Sequence, residues 1–191
     1  GLVAVLMGLA GVVGGIAPAA VAAPNPAIKV GVTTLTGPAP GQLTVGDVAT
    51  LSGTWDATDA NPQPGDSFTI GLPAEFDFPE AITFPLVGSD GEGGTISFGT
   101  CITDPATSIA TCTLSNEVVG RDDISGTWEF DIEAVAATEE KDVVFDLNGA
   151  LVPVELPGGG GIDSGIVLPA EVTKSGVMNA NNWSMTWTLD I

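Results

Sequence analysis

The feature that most constrains this chain is alternation with a period of two. In Thr127–Ala134 (TWEFDIEA), Trp128, Phe130, Ile132 and Ala134 alternate without a break with Thr127, Glu129, Asp131 and Glu133. A strand turns successive side chains to opposite faces, so such a segment buries one face and wets the other. The pattern recurs along the chain. Ala49, Leu51, Gly53 and Trp55 share one face of ATLSGTWDA. Phe68, Ile70 and Leu72 alternate with Ser67, Thr69 and Gly71 until Pro73 ends the run. Ile82, Phe84 and Leu86 repeat the theme, Ile96 and Phe98 lead into Cys101, and Cys112 and Leu114 lie on the return. Val143–Phe145–Leu147 and Leu151 to Leu156 supply two further strand-like pieces. Turn clusters stand between them, including DANPQPGD at 59–66 and GSDGEGG at 88–94. No window of ten or more residues beyond the first thirty has a helical period with caps. The expectation is an all-β sandwich of roughly seven to nine strands, with an up-and-down barrel as the lesser alternative.

Composition narrows what such a sandwich can do. A chain of 191 residues holds one good-sized domain and part of another. Hydrophobic residues make up 44% of it, which separates it from a disordered acidic tail. Asp and Glu outnumber Lys and Arg by 24 to 4, for a net charge of −20. That charge repels phosphate backbones and anionic lipid heads, so neither nucleic acid nor a membrane is an expected partner of the mature domain.

Residues 1–23 read as a secretory leader. Gly1 to Ile16 (GLVAVLMGLAGVVGGI) is uncharged, and Pro18 and then AAVAA follow. Val21 and Ala23 fit the −3 and −1 positions of a cleavage site before Pro24, and Ala20 and Ala22 would serve as well. No charged region or initiator Met precedes the apolar run, so the sequence is expected to be cut at its N-terminus. Export gives Cys101 and Cys112 a meaning. In an oxidising compartment they are expected to form a disulfide across a hairpin around Asp104-Pro105-Ala106, contributing on the order of 2–3 kcal/mol.

Much chemistry is absent. His is missing, which removes Ser-His-Asp and Cys-His nucleophilic arrangements and imidazole zinc sites. The Gly-rich run PGGGGIDSG at 157–165 lacks both the GK[ST] ending and the strand–loop–helix setting of a phosphate cradle. Paired carboxylates are plentiful, as any chain this acidic must have, so they do not argue for a glycosidase. The reading is that the chain is not an enzyme and needs no cofactor. Asp56, Asp59 and Asp66 fall in one loop and Asp90 with Glu92 in another, and clustered carboxylates in turns can bind calcium. Neither group has the spacing of a calcium loop, and solvated turns are the preferred reading. The sequon Asn182-Trp183-Ser184 is read as incidental.

Three stretches carry a family resemblance: TVGDVATLSGTWDATDANPQPGDSFTIGLPAEF, FPLVGSDG and RDDISGTWEFDIEA. Together they resemble the first immunoglobulin-like domain of Gram-positive surface adhesins of the collagen- and fibrinogen-binding type. The resemblance covers roughly residues 28–191. It implies an immunoglobulin-like β-sandwich followed by the first strand of a second one. EVTKSGVMNANNWSMTWTLDI is similar to the family's passage between those domains. Trp183, Met185, Trp187, Leu189 and Ile191 share one face of a strand with nothing after it to pair with. In many such second domains an early lysine forms an isopeptide bond with an Asn, assisted by a buried acid. Carried over by position, Lys174 would be that lysine; read without the resemblance, it is a surface lysine at a strand start. The disulfide hairpin, the absence of Tyr and the acidity set this chain apart from the best-known collagen binders.

The expected organisation is a leader over 1–23, an Ig-like domain over 24–172 and the start of a second over 173–191. The Gly-rich run is read as a loop within the first domain, with IVLPAEV at 166–172 as its closing strand. The expected function is that of a cell-surface adhesin module whose partner is an extracellular matrix protein or other surface polymer, with covalent cell-wall anchoring downstream. A structural spacer or pilus-like stalk, and an accessory domain of a secreted enzyme, are the alternatives.

Overall fold

The structure is a computed structural model that describes residues 23–38, 41–89, 94–165, 173–178 and 185–190. Its strands in chain order are β1 (Lys29–Thr36), β2 (Leu43–Thr44), β3 (Val48–Asp56), β4 (Ser67–Gly71), β5 (Phe76–Asp77), β6 (Thr83–Ser89), β7 (Thr95–Asp104), β8 (Ile109–Leu114), β9 (Ser125–Ala134), β10 (Asp142–Leu147), β11 (Ala150–Glu155), β12 (Ile162–Asp163), β13 (Thr173–Met178) and β14 (Met185–Asp190). Helical structure among the described residues is confined to two 3-10 turns, Asn116–Val118 and Pro157–Gly159.

The period-two segments become the inner strands. On β9, Trp128, Phe130, Ile132 and Ala134 are buried, and on β3 so are Ala49, Leu51, Gly53 and Trp55. The two strands pair antiparallel along their whole length, which sets Leu51 opposite Phe130 and Gly53 opposite Trp128. The main sheet runs β1-β3-β9-β6-β7-β8-β4-β10-β11 and doubles back on itself. Trp55 on β3 therefore meets Phe68 on β4, at 6.1 Å between ring centroids, although the two strands are not hydrogen-bonded neighbours. Phe76 on β5 meets Phe145 on β10 in the same way, at 6.2 Å. The result is an all-β immunoglobulin-like sandwich with its core between the two layers.

Close packing depends on two glycines. A Cβ at Gly53 would lie 2.0 Å from the Gly31 carbonyl oxygen and 2.2 Å from the Trp128 ring. One at Gly126 would lie 2.1 Å from the Val87 carbonyl oxygen. Trp128 lies over Gly53 and donates its Nε1–H to the Thr54 carbonyl at 3.1 Å.

The structure departs from the sequence reading at four places. β1 was not anticipated: the β1–β3 register shifts between Val32 and Thr34, so the apolar positions change parity and hide the alternation. β7 changes parity too, where the β6–β7 register shifts between Leu86 and Val87, which buries the adjacent pair Phe98 and Gly99. The terminal strand does have a partner: β14 pairs antiparallel with β13, just before it in the chain. The Gly-rich run carries a strand of its own, β12, which pairs in parallel with β2. The expected leader (to residue 22), the expected closing strand 166–172, the pair Asp90 and Glu92, and the sequon at 182–184 lie outside the described residues.

Candidate functional site

Cys101 and Cys112 are bonded to each other across directly opposed positions of β7 and β8, with Cα atoms 3.9 Å apart. Both are wholly buried, so the bond belongs to the core and not to a reactive surface. Lys174 lies on β13 opposite Leu189, with Gly176 opposite Trp187 and Met178 opposite Met185; its side chain lies outside the described residues.

The acidic turn at 56–66 does not assemble a metal site. Asp56 accepts the Thr58 backbone N–H at 2.9 Å, and hydrogen bonds from Thr58, side chain before backbone, hold its carboxyl below the usual carboxylate range. Asp59 binds the Lys29 ammonium at 2.9 Å, an exposed ion pair. The hydrogen bond and the charge of Asp59 raise the Lys29 pKa above its ordinary value. Asp66 accepts from Gln63 N–H and from Asn25 Nδ2 at 3.0 and 2.8 Å. The three carboxylates thus share no partner. Among the described residues no group of three or more acidic, Cys or His side chains could hold a metal ion.

The GD dipeptides quoted above acquire a local reason. In each, a left-handed glycine (Gly46 at φ 95°, Gly65 at φ 89°) precedes an aspartate that closes a turn on the residue three before it. Asp47 accepts Thr44 N–H at 2.8 Å and donates its own N–H to the Thr44 carbonyl. Asp66 does the same with Gln63. These residues are structural turn-formers, one just before β3 and one just before β4.

The end of the sandwich that carries Thr44–Asp47 and Ile162–Gly165 is built from loops that dock on one another. Here Gly158 is pressed against Gly41, and Gly160 against the Gln42 side chain, so the Gly-rich loop lies flat on the preceding loop. Thr138 and Ile162 exchange backbone hydrogen bonds at 3.0 and 2.8 Å, and Gly161 sits against the Thr138 carbonyl. Only glycine permits these approaches. The docked loop has a cleft on each side. One, of about 480 Å³, is lined by Gln42, Thr138, Glu139, Asp163 and Ser164 among others. The other, of about 340 Å³, is lined by Leu35, Thr36, Pro38, Gly41 and Pro157 among others. Gln42 Nε2 donates to Asp163 Oδ1 at 3.2 Å across the first. Among the described residues that line these walls the charges are carboxylates, Glu139 and Asp163. None of these residues was singled out from the sequence; the glycine run alone pointed to the place.

The profile of the family described as bacterial Ig domain matches residues 44–143, which span β2 to the start of β10. The chain belongs to the bacterial Ig domain family. The disulfide hairpin, both GD turns and the aromatic core apart from Phe145 fall inside that match to the bacterial Ig domain. Among solved structures it is similar to the collagen adhesin CNA of S. aureus, at 21% identity and a TM-score of 0.50, over 76% of this chain and 46% of that one. It is similar to the serine-rich repeat adhesion glycoprotein Srr1 of Streptococcus agalactiae, at 14% identity and a TM-score of 0.51, over 80% and 53%. The serine-rich repeat protein Srr2 of the same species matches at 13% identity and a TM-score of 0.50, over 84% and 53%. The chain thus spans about half the length of the structures it matches. A comparison with curated proteins finds no match. As an Ig-like module of this family, the domain is not an enzyme.

Proposed function

We propose that this bacterial Ig domain is the first module of an exported surface adhesin, and that its cleft-bearing end is one wall of a binding site for an extracellular polymer such as a matrix protein. The observation that carries the reading is the Gly-rich loop docked between two open clefts at that end. Backbone approach through glycine makes a firm, low-relief wall, and such a wall suits an extended chain better than a compact small molecule. Its fold is that of adhesin domains, one of them described as a collagen adhesin, in chains about twice as long as the matched part. On this reading residues 1–23 direct export, 24–172 form the Ig-like domain, and β13 and β14 open a second domain that supplies the opposite wall. A cell-wall anchor would follow downstream.

Lys174 has a place in this reading. In a strand paired with the apolar β14, a desolvated ammonium loses its proton more readily and becomes nucleophilic. It would attack the side-chain amide of an Asn in the second domain, forming an amide and releasing ammonia. Intact mass of the protein with its complete second domain should be lower by one ammonia, and Lys174→Ala should restore the mass. A full unmodified mass would remove the cross-link from the account.

The binding reading is tested by solid-phase and plasmon-resonance assays of the native protein against a panel of collagens, other matrix proteins and glycans. Saturable binding to at least one is the expected result. Failure across the panel would favour a spacer or stalk, a role that the buried disulfide serves equally well.

A further inference from the structure

The segment that leads into β1 crosses from one layer of the sandwich to the other, and a side-chain amide clasps it on the way. Pro24 forms a parallel bridge with Ser67 at the start of β4, and Asn25 donates its N–H to the Ser67 carbonyl at 2.7 Å. Ile28, three residues on, is buried in the core. The clasp is Asn148, in the turn between β10 and β11. Its Nδ2 donates to the Asn25 and Ile28 carbonyls, each at 2.9 Å. Its Oδ1 is buried and has no hydrogen-bond partner among the described residues, so the amide is held through its nitrogen.

We propose that Asn148 is a site of self-modification, converted to an acidic residue by the Gly149 nitrogen, and that the conversion unclasps the segment before β1. The Gly149 nitrogen gives up its proton and bonds to Asn148 Cγ; the Cγ–Nδ2 bond breaks and ammonia leaves. Water then opens the cyclic imide, at one carbonyl to give aspartate and at the other to give isoaspartate. The turn suits this step. Gly149 is exposed to water, and a Cβ built on it would meet nothing within 4 Å, so its nitrogen is uncrowded. That nitrogen already donates its proton to Asp146 Oδ1 at 2.7 Å, a carboxylate placed to receive it.

The other asparagines among the described residues are poorer candidates. Asn25 and Asn61 precede Pro26 and Pro62, whose nitrogens carry no proton to give up. Asn116 precedes Glu117, which has a bulky side chain and donates its N–H to Ser115 Oγ at 3.2 Å. The consequence of conversion follows from donors and acceptors. The amide supplies two donors to two carbonyls, whereas an ionised carboxylate only accepts. It would set oxygen against oxygen at Asn25 and Ile28, and leave buried acceptors unpaired. The inference does not depend on the cleft-bearing end or on a second domain.

The test joins peptide mapping by mass spectrometry to amide hydrogen exchange on the native, disulfide-bonded protein. During incubation at mildly alkaline pH, the peptide carrying Asn148 should take on the mass of aspartate well before the peptide carrying Asn116 does. Asn148→Asp, made directly, should speed exchange of the Asn25 and Ile28 amides by at least about tenfold, through the loss of two hydrogen bonds. The amides of Leu51 and Phe130, in the paired strands β3 and β9, should keep their native protection. Asn148→Gly accepts the left-handed backbone of this position (φ 54°) and lacks the amide, so it should speed the same two amides even where Asn148→Asp does not fold. Conversion of Asn148 no faster than that of Asn116, or native exchange at Asn25 and Ile28 in Asn148→Gly, would each overturn the proposal.

Discussion

Gly53 shows how a single residue can set the packing of two strands. It sits where β1, β3 and the Trp128 ring converge, and a methyl group there would meet backbone on one side and an aromatic ring on the other. Neither can yield cheaply. Gly53→Ala should destabilise the domain by about 2–3 kcal/mol, as overpacking in a full core does, measured by denaturant unfolding. A change below a few tenths would show that β1 is free to shift. Exposed charges act more weakly, and their pH windows can be named. Asp56 has a lowered pKa in the fold, so its stabilisation is present above the ordinary value of 3.8 and is lost as pH falls through the folded value. Lys29 has a raised pKa, so its stabilisation is present below 10.5 and is lost as pH rises through the folded value. The sequence has no His and no Tyr, and no Cys is free among the described residues, so the side chains whose ordinary pKa lies nearest neutrality are absent there. The melting temperature should stay level between about pH 5 and 9, and Lys29→Met should remove the alkaline decline while leaving the acid one. A transition near neutrality would contradict these assignments.

At the scale of elements, the cross-strand disulfide is the strongest local constraint. It ties β7 to β8 across a separation of 11 residues, and closing a loop of that size restricts the unfolded chain by about 2–3 kcal/mol. Replacing both cysteines with alanine should lower the unfolding free energy by that amount while leaving the strand content by circular dichroism intact. Loss of the fold itself would mean that the hairpin nucleates the sandwich. The element scale also explains what sequence reasoning could and could not reach. β3 and β9 were legible because their alternation is unbroken. β1 was obscured by a bulge that moves its apolar positions to the other parity; β7, which has a bulge of the same kind, was still legible from Ile96, Phe98 and Cys101. Ser67 and Thr103 are buried polar residues that no periodicity could announce, since the need for them arises far away in sequence. Thr103 Oγ1 donates to the Glu80 carbonyl and accepts Ile82 N–H, about twenty residues upstream. The pairing of β14 with β13 was missed because a partner was sought after the strand and not before it.

For the whole molecule, the fold class followed from strand rhythm and turn chemistry, and the candidate binding end did not. Its walls come from loops at 35–42, 137–139 and 157–164, brought together only by the closing of the sandwich. A glycine run in sequence signals a bend or a close approach, but not which backbone it approaches. The central claim is that this end of the Ig domain, together with the domain that follows it, grips an extracellular polymer. The most direct test compares the native protein with one carrying Glu139→Arg and Ser164→Arg, two exposed positions lining the larger cleft. With circular dichroism and melting temperature unchanged, plasmon resonance on whichever matrix polymer the native protein binds should show affinity reduced by at least about tenfold, or about 1.4 kcal/mol. Undiminished binding by the substituted protein would contradict the claim and move the binding surface elsewhere on the molecule.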